Sequence, residues 1–269
     1  MRRIGFIGAG NMASALARGL LASRRGRPRE VWASDADRRQ LRRWKRLYGV
    51  EAAADNASLV RGSVVVVLAV KPQVMHAVLA EIRPAVSGRQ LFVSVAAGVT
   101  TARLEGGLGP VARVVRAMPN TPALVGAGMT VVVRGKRATL ADERLAATLF
   151  DGVGDVLHVR DESLMDAVTG LSGSGPAFVY RFAQALIAGA VEEGLSVAHA
   201  RRLAYQTMRG AALMLQETRR SPEELCAMVT SPGGTTLAGL RALDEGGFAP
   251  TVAAAVVAAT RRSRELARG

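Results

Sequence analysis

A short glycine-rich turn near the start of the chain has the residue types and spacing of a phosphate-binding loop. The apolar run 4–7 ends in Gly8-Ala9-Gly10, and apolar or small residues then recur at helical spacing over 12–20. Glycines let the backbone approach a pyrophosphate, which the amides at the start of the next helix can bind. Gly8, Gly10 and Ala13 match the fingerprint G-x-G-x-x-G/A, which predicts dinucleotide binding, although an ordinary glycine-rich turn is the alternative.

A second glycine loop, Ser231-Pro232-Gly233-Gly234-Thr235-Thr236, lies in the C-terminal half between two predicted helices. Pro232 ends the preceding helix, and Thr235 or Thr236 is predicted to cap the next one. Helix N-terminal amides beside hydroxyl groups would bind an anion, and a carboxylate is the natural guest if the dinucleotide's phosphates bind elsewhere. A plain helix–helix connection remains the alternative.

Candidates for acid–base catalysis are few. The three histidines, none of them beside a glycine loop, are His76, His158 and His199. Lys71 follows a predicted strand and could act in catalysis, bind phosphate or stay solvated. Glu162 and Glu217 border the helical half and are expected to be solvated helix-end charges. The sequence therefore favours hydride transfer over a reaction that needs a strong general base.

Composition narrows the class of protein. The chain has 269 residues, 49% of them hydrophobic and 22% charged, which suits one or two globular domains. The net charge of +14 raises the possibility of nucleic-acid binding, with arginine clusters at 24–27, 38–39, 42–43 and 261–262. No zinc-finger, helix-turn-helix or basic-aromatic pattern accompanies these arginines. A basic solvated surface is therefore favoured, and no nucleic-acid partner is expected.

Cysteine usage and hydropathy point to a cytoplasmic protein. Cys226 is the only cysteine, so no intrachain disulfide can form, and no metal site is expected. The apolar start is too short for a signal peptide, and the longest apolar stretches contain charges such as Arg181. No membrane span is expected.

The elements that position these loops alternate between strand and helix over 1–160. Predicted strands cover 4–7, 29–34, 63–70, 90–95, 111–118 and 129–133. Predicted helices include one that starts at Asp35 or Asp37, one that starts at Pro72 and one over 141–150. This alternation predicts a doubly wound, Rossmann-like sheet. Ligands would bind at the carboxyl ends of its strands, where glycine, small or polar residues follow each apolar run.

The pattern changes near Asp161, after which no strand is predicted. Helices are expected over 176–191, 198–216, 222–229, 235–244 and 250–266. Several are apolar nearly all round, and about 110 residues could hardly bury them alone. We therefore predict a dinucleotide-binding domain at 1–160 and a helical domain at 161–269, the latter forming a homodimer with intertwined helices.

The motifs together resemble the pyrroline-5-carboxylate reductase family along almost the whole chain. The resemblance lies in the segments 4–12, 69–73 (Ala-Val-Lys-Pro-Gln), 94–100, 116–122, 166–178 (Asp-Ala-Val-Thr-Gly-Leu-Ser-Gly-Ser-Gly-Pro-Ala-Phe) and 230–236. The last two are far more specific than the first. The resemblance implies reduction of the cyclic imine 1-pyrroline-5-carboxylate to L-proline with NADPH or NADH. It also implies a helical dimerisation domain, with dimers sometimes assembled into larger rings.

The resemblance also implies roles for individual residues. The pyrophosphate would be held by Gly8, Ala9, Gly10, Asn11 and Met12. The adenosine ribose or its 2′-phosphate would contact Ser34 and Asn56. The nicotinamide side would be lined by Ala69, Val70, Lys71, Ala97 and Asn120. The substrate carboxylate would be held by backbone amides of Ser231, Gly233, Gly234 and Thr235, while the catalytic Thr236 would hydrogen-bond the ring nitrogen.

Two features depart from the family or leave a choice open. Some relatives carry an acidic residue three positions before Pro222, where this chain has Arg219. Asp35 could bond a ribose 2′-hydroxyl and favour NADH, whereas Ser34, Arg38 and Arg39 would favour a 2′-phosphate. The arginines favour NADPH.

Two other classes of protein share some of these sequence features. A β-hydroxyacid dehydrogenase resembles this chain at 172–175, but needs a lysine on the following helix, and 176–190 contains only Arg181 as a cation. A non-catalytic dinucleotide-binding regulator or a basic nucleic-acid binder would not need both glycine loops.

Overall fold

The computed structural model describes residues 3–23 and 27–268, so most of the arginine cluster at 24–27 lies outside the described residues. Contacts divide the chain into two compact units. The first contains the residues up to Ser174 together with those from Ala258 onward, and the second is Gly175–Val257. The boundary at 160/161 stays a prediction.

The first unit is built on one eight-stranded sheet of order β3-β2-β1-β4-β5-β6-β7-β8. Its strands are β1 (Ile4–Ile7), β2 (Val31–Ser34), β3 (Glu51–Ala52), β4 (Val65–Leu68), β5 (Leu91–Ser94), β6 (Arg113–Pro119), β7 (Gly128–Arg134) and β8 (Gly154–His158). Neighbouring strands are parallel except for the antiparallel pair β6–β7. The predicted doubly wound sheet is confirmed, and the strand order reverses between β1 and β4.

Helices cover both faces of this sheet. They are α1 (Asn11–Ala22), α2 (Arg38–Tyr48), α3 (Asn56–Gly62), α4 (Pro72–Ile82), α5 (Thr101–Leu108), α6 (Leu140–Ala147) and α7 (Met165–Val168). One buried cluster contains Phe6, Leu16 and Trp44. A second contains Leu59 and Phe92. Apolar strands such as Val65–Leu68 are buried because a parallel sheet is covered on both sides.

Some elements were not predicted, and several predicted strands were too long, such as 63–70, of which only Val65–Leu68 is strand. No pattern in the sequence predicts β3, β8, α3, α5 or α7. β3 is a two-residue exposed strand, and β8 has only two apolar residues, which lie between Asp155 and His158. The predicted strand at 29–34 begins only at Val31, because Pro28–Glu30 forms a 3-10 turn.

The second unit consists of helices, as predicted. They are α8 (Gly175–Glu192), α9 (Val197–Glu217), α10 (Pro222–Met228), α11 (Thr235–Glu245) and α12 (Phe248–Arg268), the last of which enters the first unit at Ala258. Few of their side chains are buried within one chain, the buried apolar ones being Ala183, Ala200 and Ala204. Large apolar side chains such as Tyr180, Leu203 and Tyr205 are more than half exposed, at 59%, 56% and 55%.

The length and hydropathy of the described helices bear on whether any of them could cross a membrane. Within residues 3–23 and 27–268, no single helix is long and apolar enough to cross a membrane. The pair Thr235–Glu245 and Phe248–Ala267, bent by 51°, reaches the required length and composition only when its two helices are taken together.

Candidate active site

Gly8 lies where β1 meets the carboxyl ends of β2 and β4. Its φ of +96° is in the left-handed region, and a Cβ at this position would lie 2.7 Å from the backbone oxygen of Ala69. Its amide donates to the Ser34 carbonyl at 2.8 Å, while the Ala69 amide donates to the Ile7 carbonyl at 2.8 Å. Glycine is therefore required here by the fold itself.

Gly10 serves a different purpose, because the space around it is open. It is the N-cap residue of α1, and no described side chain caps this helix. A Cβ on Gly10 would meet no atom within 4 Å. The amides of Asn11 and Met12, in the first turn of α1, have no intrahelical partner, and the open space at Gly10 lets a pyrophosphate approach the backbone beside them. Ala13, only 1% exposed, packs α1 onto the sheet.

Asp35 holds the glycine loop in place. Its Oδ2 accepts the Ala9 amide hydrogen at 2.7 Å, and its Oδ1 accepts the Asp37 amide hydrogen at 2.8 Å. Each oxygen accepts one amide hydrogen and keeps further acceptor capacity, so Asp35 fixes the loop and can still accept a hydrogen bond from a ribose hydroxyl. Nearby, Arg39 pairs with Asp37 at 3.1 Å, and this side-chain hydrogen bond holds the pKa of Asp37 below its ordinary value.

The loops that follow β4 and β5 lie beside the glycine loop, because β1, β4 and β5 are adjacent parallel strands. Ala69 and Val70 are half-buried, whereas Lys71, the N-cap residue of α4, and Ala97 are exposed. This edge therefore brings together the residues predicted to bind the pyrophosphate and several of those predicted to line the nicotinamide.

Two predicted cofactor residues have side chains that bind other parts of the protein. Asn56 donates from Nδ2 to Glu81 Oε2 at 2.8 Å. Asn120 accepts the Met129 amide hydrogen at 2.9 Å and donates to the Ser172 hydroxyl at 3.2 Å. Asn120 thereby links the end of β6 to the π-helical turn Thr169–Gly173.

The second glycine loop, in the helical unit, also presents an uncapped helix. The prediction that Thr235 or Thr236 caps α11 is wrong, because the helix begins at Thr235 and Gly234 is its N-cap residue. Gly233 has a φ of +70° with no atom within 4 Å of a Cβ position, and the Gly234 amide donates to the Ser231 carbonyl at 3.0 Å. Neither threonine hydroxyl caps α11, so the amides of its first turn remain available to an anion.

The expectation that Glu162 is a solvated charge is also wrong. Its side chain is only 26% exposed and pairs with Arg116. Its partners are distant in sequence, so composition and periodicity gave no signal for them. Glu217, in contrast, is exposed at the end of α9. Among the described residues, no cluster of three or more His, Cys, Asp or Glu side chains could hold a metal ion.

Comparison with known proteins agrees with this geometry. The family "Pyrroline-5-carboxylate reductase dimerisation" matches residues 162–266, and "NADP oxidoreductase coenzyme F420-dependent" matches residues 3–98. A pyrroline-5-carboxylate reductase of Methanosarcina acetivorans is 43% identical over 99% of this chain and 98% of its own length. The chain belongs to the pyrroline-5-carboxylate reductase family. This membership decides against the β-hydroxyacid dehydrogenase alternative.

Solved structures of the family share the fold. The enzyme of Coxiella burnetii is 37% identical with a TM-score of 0.93, and the alignment covers 98% of both chains. The Plasmodium falciparum enzyme, solved with NADP bound, is 31% identical with a TM-score of 0.89 over 99% of this chain and 98% of its own.

Proposed function

We propose that this protein reduces 1-pyrroline-5-carboxylate to L-proline, the last step of proline biosynthesis, with a nicotinamide dinucleotide as the hydride donor. The observation that carries the proposal is a pair of uncapped helix N-termini behind glycine loops, at Gly10 and Gly234. These loops belong to a chain that matches the family over nearly its full length.

The cofactor's phosphates fit the first loop. The open space at Gly10 admits a pyrophosphate, which the amides from Gly8 to Met12 would hold. Ser34 and Asn56 would contact the ribose end. Ala69, Val70, Lys71, Ala97 and Asn120 would line the nicotinamide side. When bound, the nicotinamide supplies the hydride, and the protein supplies orientation.

The substrate fits the second loop. Backbone amides from Ser231 to Thr235 would hold the carboxylate at the start of α11, where the helix dipole favours a negative charge. The hydroxyl of Thr236 would hydrogen-bond the ring nitrogen. A protonated imine is already electrophilic at carbon and keeps its proton when the hydride adds. Thr236 therefore orients the ring and needs no neighbouring base, consistent with the lack of histidines at the glycine loops.

NADPH is proposed as the preferred cofactor. The carboxylate of Asp35 is held by two backbone amides and serves to position the glycine loop. The helix that follows carries six cations, namely Arg38, Arg39, Arg42, Arg43, Lys45 and Arg46, all of them exposed. Their field favours the dinucleotide with the additional 2′-phosphate charge.

The helical unit is proposed to form an intertwined homodimer, which can assemble further into rings. The support is the exposure of large apolar side chains on α8 and α9, which one chain leaves in contact with water. Because these side chains are already close to half-buried in one chain, covering the exposed remainder stabilises a dimer by about 1 kcal/mol for each one.

The proposed reaction is tested by assaying the purified protein with the imine and NADPH, and by identifying the product. We expect cofactor oxidation that depends on the imine and yields one proline per NADPH. Cofactor oxidation without proline formation would contradict the proposal.

A further inference from the structure

One carboxylate fastens the loop between β5 and α5 to the rest of the first unit. Thr101, the first residue of α5, donates its amide hydrogen to Glu162 Oε1 at 2.8 Å and its hydroxyl hydrogen to Oε2 at 2.5 Å. Arg116, in the middle of β6, donates from Nη1 to the same Oε1 at 2.9 Å. Glu162 therefore joins three segments that are far apart in the sequence.

The loop held in this way has a single exposed residue. Ala96, Gly98 and Val99 are buried, and Ala97 alone is exposed between Leu91 and Thr101. At the other end of the loop, the Ala96 amide donates to the Ser94 hydroxyl at 3.3 Å. Ala97 is one of the residues proposed to line the nicotinamide, and its position depends on the contacts at both ends of this loop.

Charge makes the Glu162 anchor hard to replace. Arg116 is 3% exposed, and its Nη2 is buried without a hydrogen-bond partner among the described residues. A buried guanidinium that loses its carboxylate is left uncompensated, so the surrounding segments must move to let water reach it.

The turn that carries Glu162 is itself fixed. Asp161 accepts hydrogen bonds from the Ser163 amide at 2.8 Å and from the Ser163 hydroxyl at 2.7 Å, and the hydroxyl bond holds the pKa of Asp161 below its ordinary value. Glu162 is thus presented to Thr101 from an ordered 3-10 turn, Glu162–Leu164.

We propose that Glu162 is a positioning residue for hydride transfer. Through Thr101 it fixes the loop that presents Ala97 to the nicotinamide, and through Arg116 it fixes that loop to the central strands. This inference rests on the proposed function, because it takes the nicotinamide to lie against Ala97.

The test compares two variants with a matched control. Glu162→Gln removes the charge but keeps the size of the side chain. Thr101→Val removes only the hydroxyl bond and carries the test if Glu162→Gln does not fold. The control is Asp142→Asn, which breaks the Arg113–Asp142 ion pair of 2.6 Å at the beginning of β6, away from the strands' carboxyl ends.

The readouts are kcat for the imine, the primary deuterium isotope effect with NADPH deuterated at the transferred position, and the dissociation constant for NADPH. In Glu162→Gln we expect kcat to fall roughly 10- to 100-fold, because small displacements of reacting groups are costly. The isotope effect should rise while the dissociation constant changes by less than about threefold. Thr101→Val should show a smaller effect of the same kind. Asp142→Asn should lose stability but keep the wild-type kcat and isotope effect.

An unchanged kcat and isotope effect in a folded Glu162→Gln protein, or an equal loss in Asp142→Asn, would overturn the proposal. Hydrogen exchange of the amides at 95–101 distinguishes failure of the positioning role from failure of the proposed function, because it reports how firmly the loop is held and does not depend on turnover. If the wild-type protein does not reduce the imine, the proposed function fails. Faster exchange in Glu162→Gln, but not in Asp142→Asn, would still establish the anchor, whereas unchanged exchange would refute it.

Discussion

Replacing Gly10 by alanine should abolish tight cofactor binding while leaving the fold intact. The backbone at Gly10 has φ −72° and ψ −167°, which alanine adopts without strain, and its Cβ would meet no atom within 4 Å. Alanine is a poorer N-cap than glycine, but it also restricts the unfolded chain, so the free energy of unfolding should change by less than about 0.5 kcal/mol. The new methyl group would occupy the space through which a pyrophosphate reaches the amides of Asn11 and Met12.

The expected loss of affinity follows from those amides. Each hydrogen bond to a charged phosphate contributes about 1.5–3 kcal/mol, so the loss of one should raise the dissociation constant for NADPH roughly 10- to 150-fold. Binding is measured by calorimetry or by nicotinamide fluorescence, and stability by urea unfolding of the same samples.

Gly8→Ala provides the comparison, because the same substitution two residues earlier affects the fold. A φ of +96° and a Cβ at 2.7 Å from the Ala69 oxygen should lower the free energy of unfolding by about 2–3 kcal/mol. If Gly10→Ala binds NADPH as tightly as the wild-type protein, the assignment of the pyrophosphate to this loop is wrong. A loss of stability as large as that of Gly8→Ala would instead contradict the open surroundings of Gly10.

Three further predictions concern the remaining parts of the site. Thr236→Ala should lower kcat for the imine by about 10- to 100-fold and leave the dissociation constant for NADPH near normal. Thr236→Ser should largely restore the activity. Unchanged turnover in Thr236→Ala would show that Thr236 has no part in the mechanism. Arg38→Gln should raise KM for NADPH more than KM for NADH. In the wild-type protein, added salt should likewise reduce the advantage of NADPH over NADH in KM. Equal effects on the two cofactors would contradict the proposed preference for NADPH. Leu203→Glu should shift the protein to monomers in sedimentation experiments, and a persistent oligomer would place the interface elsewhere.

Much of the fold could be predicted because its signals are local. Val65–Leu68 is apolar throughout, Pro72 begins α4, and Asp37 caps α2 from its own sequence neighbourhood. The five helices from α8 to α12 follow their hydrophobic periodicity to within a few residues. Short or polar elements such as β3 and β8 carry no such signal, because pairing with a neighbouring strand stabilises them.

In the candidate site, too, the features with local sequence signals were predictable and the long-range contacts were not. The glycine loops were predictable, since backbone freedom and helix N-termini can be inferred from residue type and order. The contacts of Glu162 were not, because its partners Thr101 and Arg116 lie 61 and 46 residues away. The uncapped start of α11 was likewise missed, since sequence alone cannot decide whether Gly234 or a threonine occupies the cap position.

The most direct test of the central claim is a steady-state assay of 1-pyrroline-5-carboxylate with NADPH and with NADH, in which proline is quantified alongside cofactor oxidation. We predict saturable turnover with both cofactors, a higher kcat/KM with NADPH, and one proline formed per cofactor oxidised. Tight NADPH binding without turnover of the imine by either cofactor would contradict the account.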